Sequence, residues 1–325
     1  YLFEFTKNRF FHYAEEADGY GPEFRKIKIE LIIHSFDKLD QTGTKKKLQR
    51  SELSDVDIDI PIRSQNLDAY ALIIGNEDYA SYQTGLAVES NVPFAIKDAE
   101  VFKNYLLNMF QVKEGNVELL LNSTYREMNQ AFSRLEKIME VDGEGKEIIV
   151  FYSGHGMPDE ENKDPYLIPV DVSGLNVKEG VSLKEIMNRL SDKPHKKLTI
   201  ITDACFTGAG KKGALAKVRG VTVVPNHPEI SEKMVFLASS SGNESSLTDE
   251  SRKHGLFTYF LLKYLKESSG NISIDALFKD VKKSVALEAI KKFNKSQTPD
   301  LIIGKDLLSQ KESLQFFMQE QQFAL

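Results

Sequence analysis

The residues best equipped for chemistry are one cysteine and one histidine. Cys205 is the single cysteine among 325 residues, so no internal disulfide is available and whatever it does it does as a thiol. It follows the apolar run Lys197 to Thr202 in the turn Asp203-Ala204-Cys205, and His155 follows the run Glu147 to Tyr152 in the turn Gly154-His155-Gly156. A protonated thiol is a weak nucleophile; a nearby imidazole takes its proton, orients it and later protonates the leaving amine. Taken singly, a cysteine is more often a buried structural thiol and a strand-end histidine more often structural. Taken together, 50 residues apart and each behind a buried strand, they read as nucleophile and base. Glycines on both sides of His155 permit close backbone approach and leave amides free to face an oxyanion.

These turns need a frame. Both runs are short, continuous and apolar, as in strands buried on both faces. Ser182 to Leu190 reads as a helix between them, so the two strands are joined by the crossover of a parallel sheet. Parallel neighbours put both C-terminal ends on one edge, where open α/β sheets bind ligands. The alternation begins earlier, with Ala69 to Ile74 as a strand and Pro93 to Met109 as a helix whose Ala95, Ala99, Phe102, Leu106 and Met109 share a face. Val117 to Leu121 is the next strand, and Thr124 to Glu140 a helix with the stripe Met128, Phe132, Leu135, Ile138 and Met139. Met234 to Ser239 reads as a strand, His254 to Lys266 and Ile274 to Phe293 as helices, and Asp300 to Ile303 as an edge strand. The expected fold class is α/β: a mostly parallel central sheet flanked by helices, over residues 67–306.

Residues 1–66 differ. Apolar residues fall on every second position from Phe24 to Ile33 and again from Val56 to Ile62, with a polar, turn-rich stretch from Asp40 to Lys47 between them. This region reads as a small β-rich appendage or the remnant of an upstream domain, and residues 307–325 as a C-terminal tail. The chain starts at Tyr1 without a methionine, as a trimmed or processed fragment does.

Composition bounds the function. With 41% hydrophobic and 28% charged residues, the chain reads as a soluble globular protein. A net charge of −6 gives no support to nucleic-acid binding, which draws on a basic face. No run approaches the ~18 apolar residues of a membrane span, and no basic-then-apolar leader opens the chain. The compartment stays open between cytoplasmic and exported, and so does the oligomeric state.

Beyond the two turns, Tyr70 to Asn76, Lys97-Asp98-Ala99, Leu167 to Asp171 and Gly255 to Phe260 occur in an order that resembles the caspase-like cysteine peptidases, nearer the metacaspase and bacterial caspase-homologue branch than animal caspases. The resemblance spans about residues 68 to 304. It implies a three-layer caspase-like sandwich, His155 and Cys205 as a catalytic dyad, and an oxyanion hole made by the amides of Gly156 and Cys205. Metacaspase-like enzymes cut after arginine or lysine, and their pocket acids match Asp98 and Asp203; a buried carboxylate needs a cationic partner, which the substrate side chain supplies. Ser153 and Ser239, at strand ends, join them as substrate-binding residues. The implied partners are proteins or peptides with exposed Arg or Lys.

Three further readings follow. The stretch from Gly208 to Lys233, with Lys211, Lys212, Lys217 and Arg219, resembles the linker between the large and small catalytic segments and is a candidate for self-cleavage. Asp159, Glu160, Glu161, Asp164 and Asp171 are of the type that binds calcium, but Lys212 stands where the family often has an acid, so no metal and no cofactor is assigned and calcium dependence is not favoured. The rival functions are a legumain-like peptidase or transamidase, against which Asp203 argues, and a pseudo-protease interaction module, against which retention of both His155 and Cys205 argues.

Overall fold

The computed structural model describes residues 53–63, 66–206, 230–242 and 244–317. From Ser54 onward they belong to one compact unit. The run from Phe24 to Ile33 and residues 207–229 of the linker, with Lys211, Lys212, Lys217 and Arg219, lie outside the described residues.

Apolar runs too short for helices become a six-stranded sheet. β1 (Ala69–Gly75), β2 (Val117–Leu121), β3 (Glu147–Ser153), β7 (Lys197–Asp203), β8 (Met234–Ala238) and β11 (Asp300–Ile303) lie in the spatial order β11, β8, β7, β3, β1, β2. The first five are mutually parallel, and β11 closes the edge antiparallel to β8. Every residue of β3, β7 and β8 is buried, because helices cover both faces.

Strand parity sorts side chains between two cores. Ala71, Ile73, Ile149, Phe151, Ile201 and Leu237 pack beneath α1 (Ala95–Asn104), α4 (Leu256–Glu267) and α5 (Ile274–Phe293). Their neighbours Leu72, Ile74, Ile148, Val150, Tyr152 and Ile200 pack beneath α2 (Tyr125–Asp142) and α3 (Leu183–Ser191). A period of two then assigns Ser153 and Asp203, each two residues beyond an α1/α4-side residue, to the α1/α4 layer. Thr124 opens α2 with a reciprocal cap, its hydroxyl accepting from the Glu127 amide while the Glu127 carboxylate accepts from the Thr124 amide.

The remaining strands are short. β4 (Gly156–Pro158), β5 (Pro165–Leu167) and β6 (Val181–Ser182) form an antiparallel ribbon after His155, and β9 (Thr248–Asp249) pairs with β10 (His254–Gly255). The helix expected from His254 therefore starts at Leu256.

The strand expected from Val56 to Ile62 is absent. Ser54 to Asp57 is instead a turn in which the Asp57 amide donates to the Ser54 carbonyl at 3.1 Å and the Ser54 amide to Asp57 Oδ2 at 2.7 Å. Asp59 is left-handed at φ 49°, and Pro61 has no N–H to offer a ladder. Local hydrogen bonding by an acidic side chain overrides the alternating pattern here. Downstream, α6 (Lys305–Leu308) leads to a docked segment in which the Ile274 amide donates to the Leu314 carbonyl, and Phe316 and Phe317 are wholly buried.

Candidate active site

β3 and β7 are neighbours in parallel register, Ser153 beside Asp203, so the turns that follow them meet. The Gly154 amide donates to the Asp203 carbonyl at 3.3 Å. A Cβ added to Gly156 would lie 3.2 Å from the Cys205 carbonyl oxygen and 2.6 Å from the Phe206 ring. A glycine is required for that approach. His155 and Cys205 are 2% and 1% exposed, and the Cys205 thiol faces the Glu244 carbonyl at 3.5 Å.

The loop after β1 holds the imidazole. His155 Nε2 lies 2.7 Å from the Ser90 carbonyl oxygen, which can only accept, so Nε2 carries the proton and Nδ1 is left with the lone pair. The Tyr79 ring packs edge-on against the imidazole at 4.6 Å, and its hydroxyl accepts from the His155 amide at 3.0 Å while donating to the Ile168 carbonyl at 2.9 Å. From the sheet below, the Tyr152 hydroxyl donates to the His155 carbonyl at 2.6 Å. Burial pushes both tyrosine hydroxyls above their ordinary range, so both keep their protons. Sequence reasoning passed over Tyr79, Ser90 and Tyr152, which lie in sequence beside or well before the motif they brace.

Asp98, Ser153 and Asp203 come together around Gly255. A Cβ added there would lie 2.2 Å from Asp203 Oδ2 and 2.9 Å from Asp98 Oδ2. Both carboxylates are wholly buried and both draw on the start of α4: the Gly255 amide reaches Asp98 at 3.1 Å, and the Thr258 amide and hydroxyl reach Asp203 at 3.3 and 2.7 Å. A helix N-terminus favours negative charge there. The Ser153 hydroxyl donates to Asp98 at 3.2 Å. His254, also missed by sequence reasoning, reaches Asp98 with Nδ1 and Asp57 with Nε2, each at 2.7 Å. Burial works against a charge on His254, but the hydrogen bonds it donates to the two carboxylates outweigh it and raise its pKa.

Ser239 is placed differently. Its hydroxyl donates to the Ala204 carbonyl at 3.2 Å and touches the Ser246 hydroxyl, bracing the cysteine turn from β8. The acids after His155 are dispersed: Asp159 pairs with Lys178 at 3.4 Å, Asp164 with Lys184 at 3.8 Å, and Asp171 accepts from the Tyr125 amide. Among the described residues no group of three or more acids, histidines or cysteines is arranged to hold a metal ion. No helix among them is long and apolar enough to cross a membrane.

Comparison with known proteins bears on this geometry. The sequence model of the family described as Caspase domain matches residues 68–304. No curated protein matches the sequence. Among solved structures, protein GSU0716 from Geobacter sulfurreducens is similar in fold, with a TM-score of 0.54 at 18% identity over 78% of this chain and 100% of that one.

Proposed function

Because the chain belongs to the caspase-domain family of cysteine peptidases, we propose that it is an endopeptidase cutting after arginine or lysine, with Cys205 as nucleophile and His155 as base. The observation that carries the reading is the convergence of two buried carboxylates, Asp98 and Asp203, on Gly255, beside the strand ends that bear the dyad. Buried acids favour a cationic partner, and the guanidinium or ammonium of the residue before the scissile bond is the one this reading supplies. This acid pair also favours the metacaspase-like branch.

The steps follow from the tautomer. With Nε2–H held by the Ser90 carbonyl, Nδ1 accepts the thiol proton and the thiolate attacks the scissile carbonyl. The amides of Gly156 and Cys205 serve the oxyanion. The imidazolium then protonates the leaving amine, and water, deprotonated by the same nitrogen, hydrolyses the thioester. In this scheme a main-chain carbonyl and two tyrosines orient the histidine. The basic residues Lys211, Lys212, Lys217 and Arg219 are the proposed self-cleavage sites.

Hydrolysis of fluorogenic peptides with Arg, Lys, Asp or Asn before the scissile bond, with and without calcium, tests the proposal alongside Cys205→Ala. Cleavage after Arg or Lys that vanishes in the variant is expected. Cleavage after Asp or Asn alone overturns the pocket assignment, and no cleavage with no labelling of Cys205 by a thiol-reactive peptide overturns the enzyme.

A further inference from the structure

Gln297 is wholly buried, and a buried amide is costly unless both its ends are bonded. Its Oε1 accepts from the Leu247 amide at 3.0 Å and its Nε2 donates to the Ser239 carbonyl at 2.9 Å. One residue on, Thr298 engages both oxygens of the Glu244 carboxylate: its amide donates to Oε2, and its hydroxyl to Oε1 at 3.0 Å. Strand pairing puts these two residues there. α5 ends at Phe293, Asn294 is left-handed at φ 51°, and β11 then enters antiparallel to β8 with Asp300 opposite Ala238. The residues just before Asp300 therefore run beside those just after Ala238.

What is held in this way is the surroundings of the nucleophile. The Cys205 thiol donates to the Glu244 carbonyl at 3.5 Å. Ser239 bonds the cysteine turn twice, its amide donating to the Thr202 carbonyl at 2.9 Å and its hydroxyl to the Ala204 carbonyl at 3.2 Å. Cys205 is 1% exposed, so a reagent reaches its thiol only when contacts around it part. An acid beside the nucleophile could read a basic side chain of the substrate; with both oxygens on Thr298, Glu244 is a buttress instead.

We propose that Gln297 and Thr298 are positioning residues for the nucleophile: they fix the main chain at Ser239, Glu244 and Leu247, and so hold the Glu244 carbonyl against the thiol and the Ser239 hydroxyl against the cysteine turn. A reacting group displaced by about 1 Å loses up to about a hundredfold in rate, so the clamp bears on turnover. Substrate capture depends on other contacts, those that hold Asp98 and Asp203 at Gly255 and Thr258. The inference rests on the peptidase reading above, which it deepens.

Cys205 is the only cysteine of the chain, so alkylation by iodoacetamide reports it alone, with or without peptidase activity. The full chain is compared with Thr298→Val, which deletes the hydroxyl bond to Glu244, with Glu244→Ala, which deletes both bonds, and with Thr298→Ser, which keeps both. A buried thiol is alkylated through local opening, and loss of one charge-assisted hydrogen bond raises the open population about tenfold. Alkylation well below the unfolding temperature is therefore expected to be about tenfold faster in Thr298→Val, faster still in Glu244→Ala, and at the parent's rate in Thr298→Ser. On an arginine peptide the first two variants are expected to show kcat lowered about tenfold with KM within about twofold of the parent's. The thiol becomes easier to reach and less productive at once, which a clamp serving only global stability would not bring about. Alkylation at the parent's rate in Thr298→Val and Glu244→Ala overturns the inference, and where one of them does not fold the other decides. So does a Thr298→Ser protein that behaves like Thr298→Val, or a KM that rises while kcat holds. A chain that shows the expected alkylation pattern but cuts no peptide sinks the peptidase reading and leaves the clamp on the thiol standing.

Discussion

His155 Nε2 stands 2.7 Å from the carbonyl oxygen of Ser90, and this one main-chain contact decides which ring nitrogen serves as the base in the proposed mechanism. A carbonyl cannot donate, so the proton sits on Nε2 in every neutral state of the ring. His155→Gln keeps a donor toward Ser90 but has no basic nitrogen. Its kcat is expected to fall by about 10²- to 10⁴-fold, the usual contribution of a general base, with an unchanged circular dichroism spectrum. A variant within a few-fold of the parent would remove His155 from the mechanism.

Tyr79→Phe deletes the acceptor for the His155 amide and the donor to the Ile168 carbonyl while preserving the ring contact. The Ile168 carbonyl still accepts from the Tyr152 hydroxyl at 3.0 Å, so the main cost is the acceptor lost to the buried His155 amide, roughly 1–3 kcal/mol. The expected kinetic signature is a lower kcat with KM nearly unchanged, because the imidazole loses its placement and the acid pocket does not. A change in KM alone would contradict this division of labour.

Gly255→Ala drives a methyl group to within 2.2 Å of Asp203 and 2.9 Å of Asp98. Neither acid has room to withdraw, since Asp203 is held by Thr258 and Asp98 by His254. The variant is expected to lose cleavage after basic residues and to destabilise the fold by about 1–3 kcal/mol, the usual cost of overpacking. Denaturant curves and peptide hydrolysis read the two effects separately.

Asp249 predicts an acid-limb effect. Burial opposes its ionisation, but hydrogen bonds from Lys292 and Ser251 and the charge of Arg252 hold its pKa down at about 2, below the ordinary 3.8. A depressed carboxyl contributes stability that is present above its unfolded pKa and is lost as pH falls toward the folded value. Asp249→Asn is therefore expected to cost roughly 2 kcal/mol near neutral pH, with the difference from the parent shrinking between about pH 4 and 2. Urea unfolding at several pH values measures it.

Deleting residues 314–325 removes Phe316 and Phe317 from the core and the carbonyl that accepts from Lys197 Nζ at 2.6 Å. Lys197 is wholly buried, with Glu147 at 3.4 Å, and burial already lowers its pKa. Stripping the cover from a buried ion pair and two aromatic rings is expected to destabilise by at least ~5 kcal/mol. Thermal unfolding of the truncated chain would show a large fall in Tm; an unchanged Tm would mean that the docked segment adds nothing.

How much of this was legible beforehand depended on the range of the signal. The strands of the six-stranded sheet and the turns bearing His155 and Cys205 are local patterns: short apolar runs, most of them ended by glycine, asparagine, serine or aspartate. Even the shared layer of Ser153 and Asp203 follows from counting residues by twos along parallel neighbours. The same counting failed at Val56 to Ile62, where Asp57 hydrogen-bonds its own turn.

The sequence by itself therefore determined the sheet, the helices that cover it and the placing of the histidine and cysteine turns at one edge, because hydrophobic period and strand ends are written in neighbouring residues. Only the tertiary structure decided which carbonyl sets the imidazole tautomer, which tyrosines clamp it, and that His254 stands between Asp57 and Asp98. Those contacts join residues 65, 76, 156 and 197 positions apart, and a pairing of polar side chains across such separations leaves no periodicity in the chain to read.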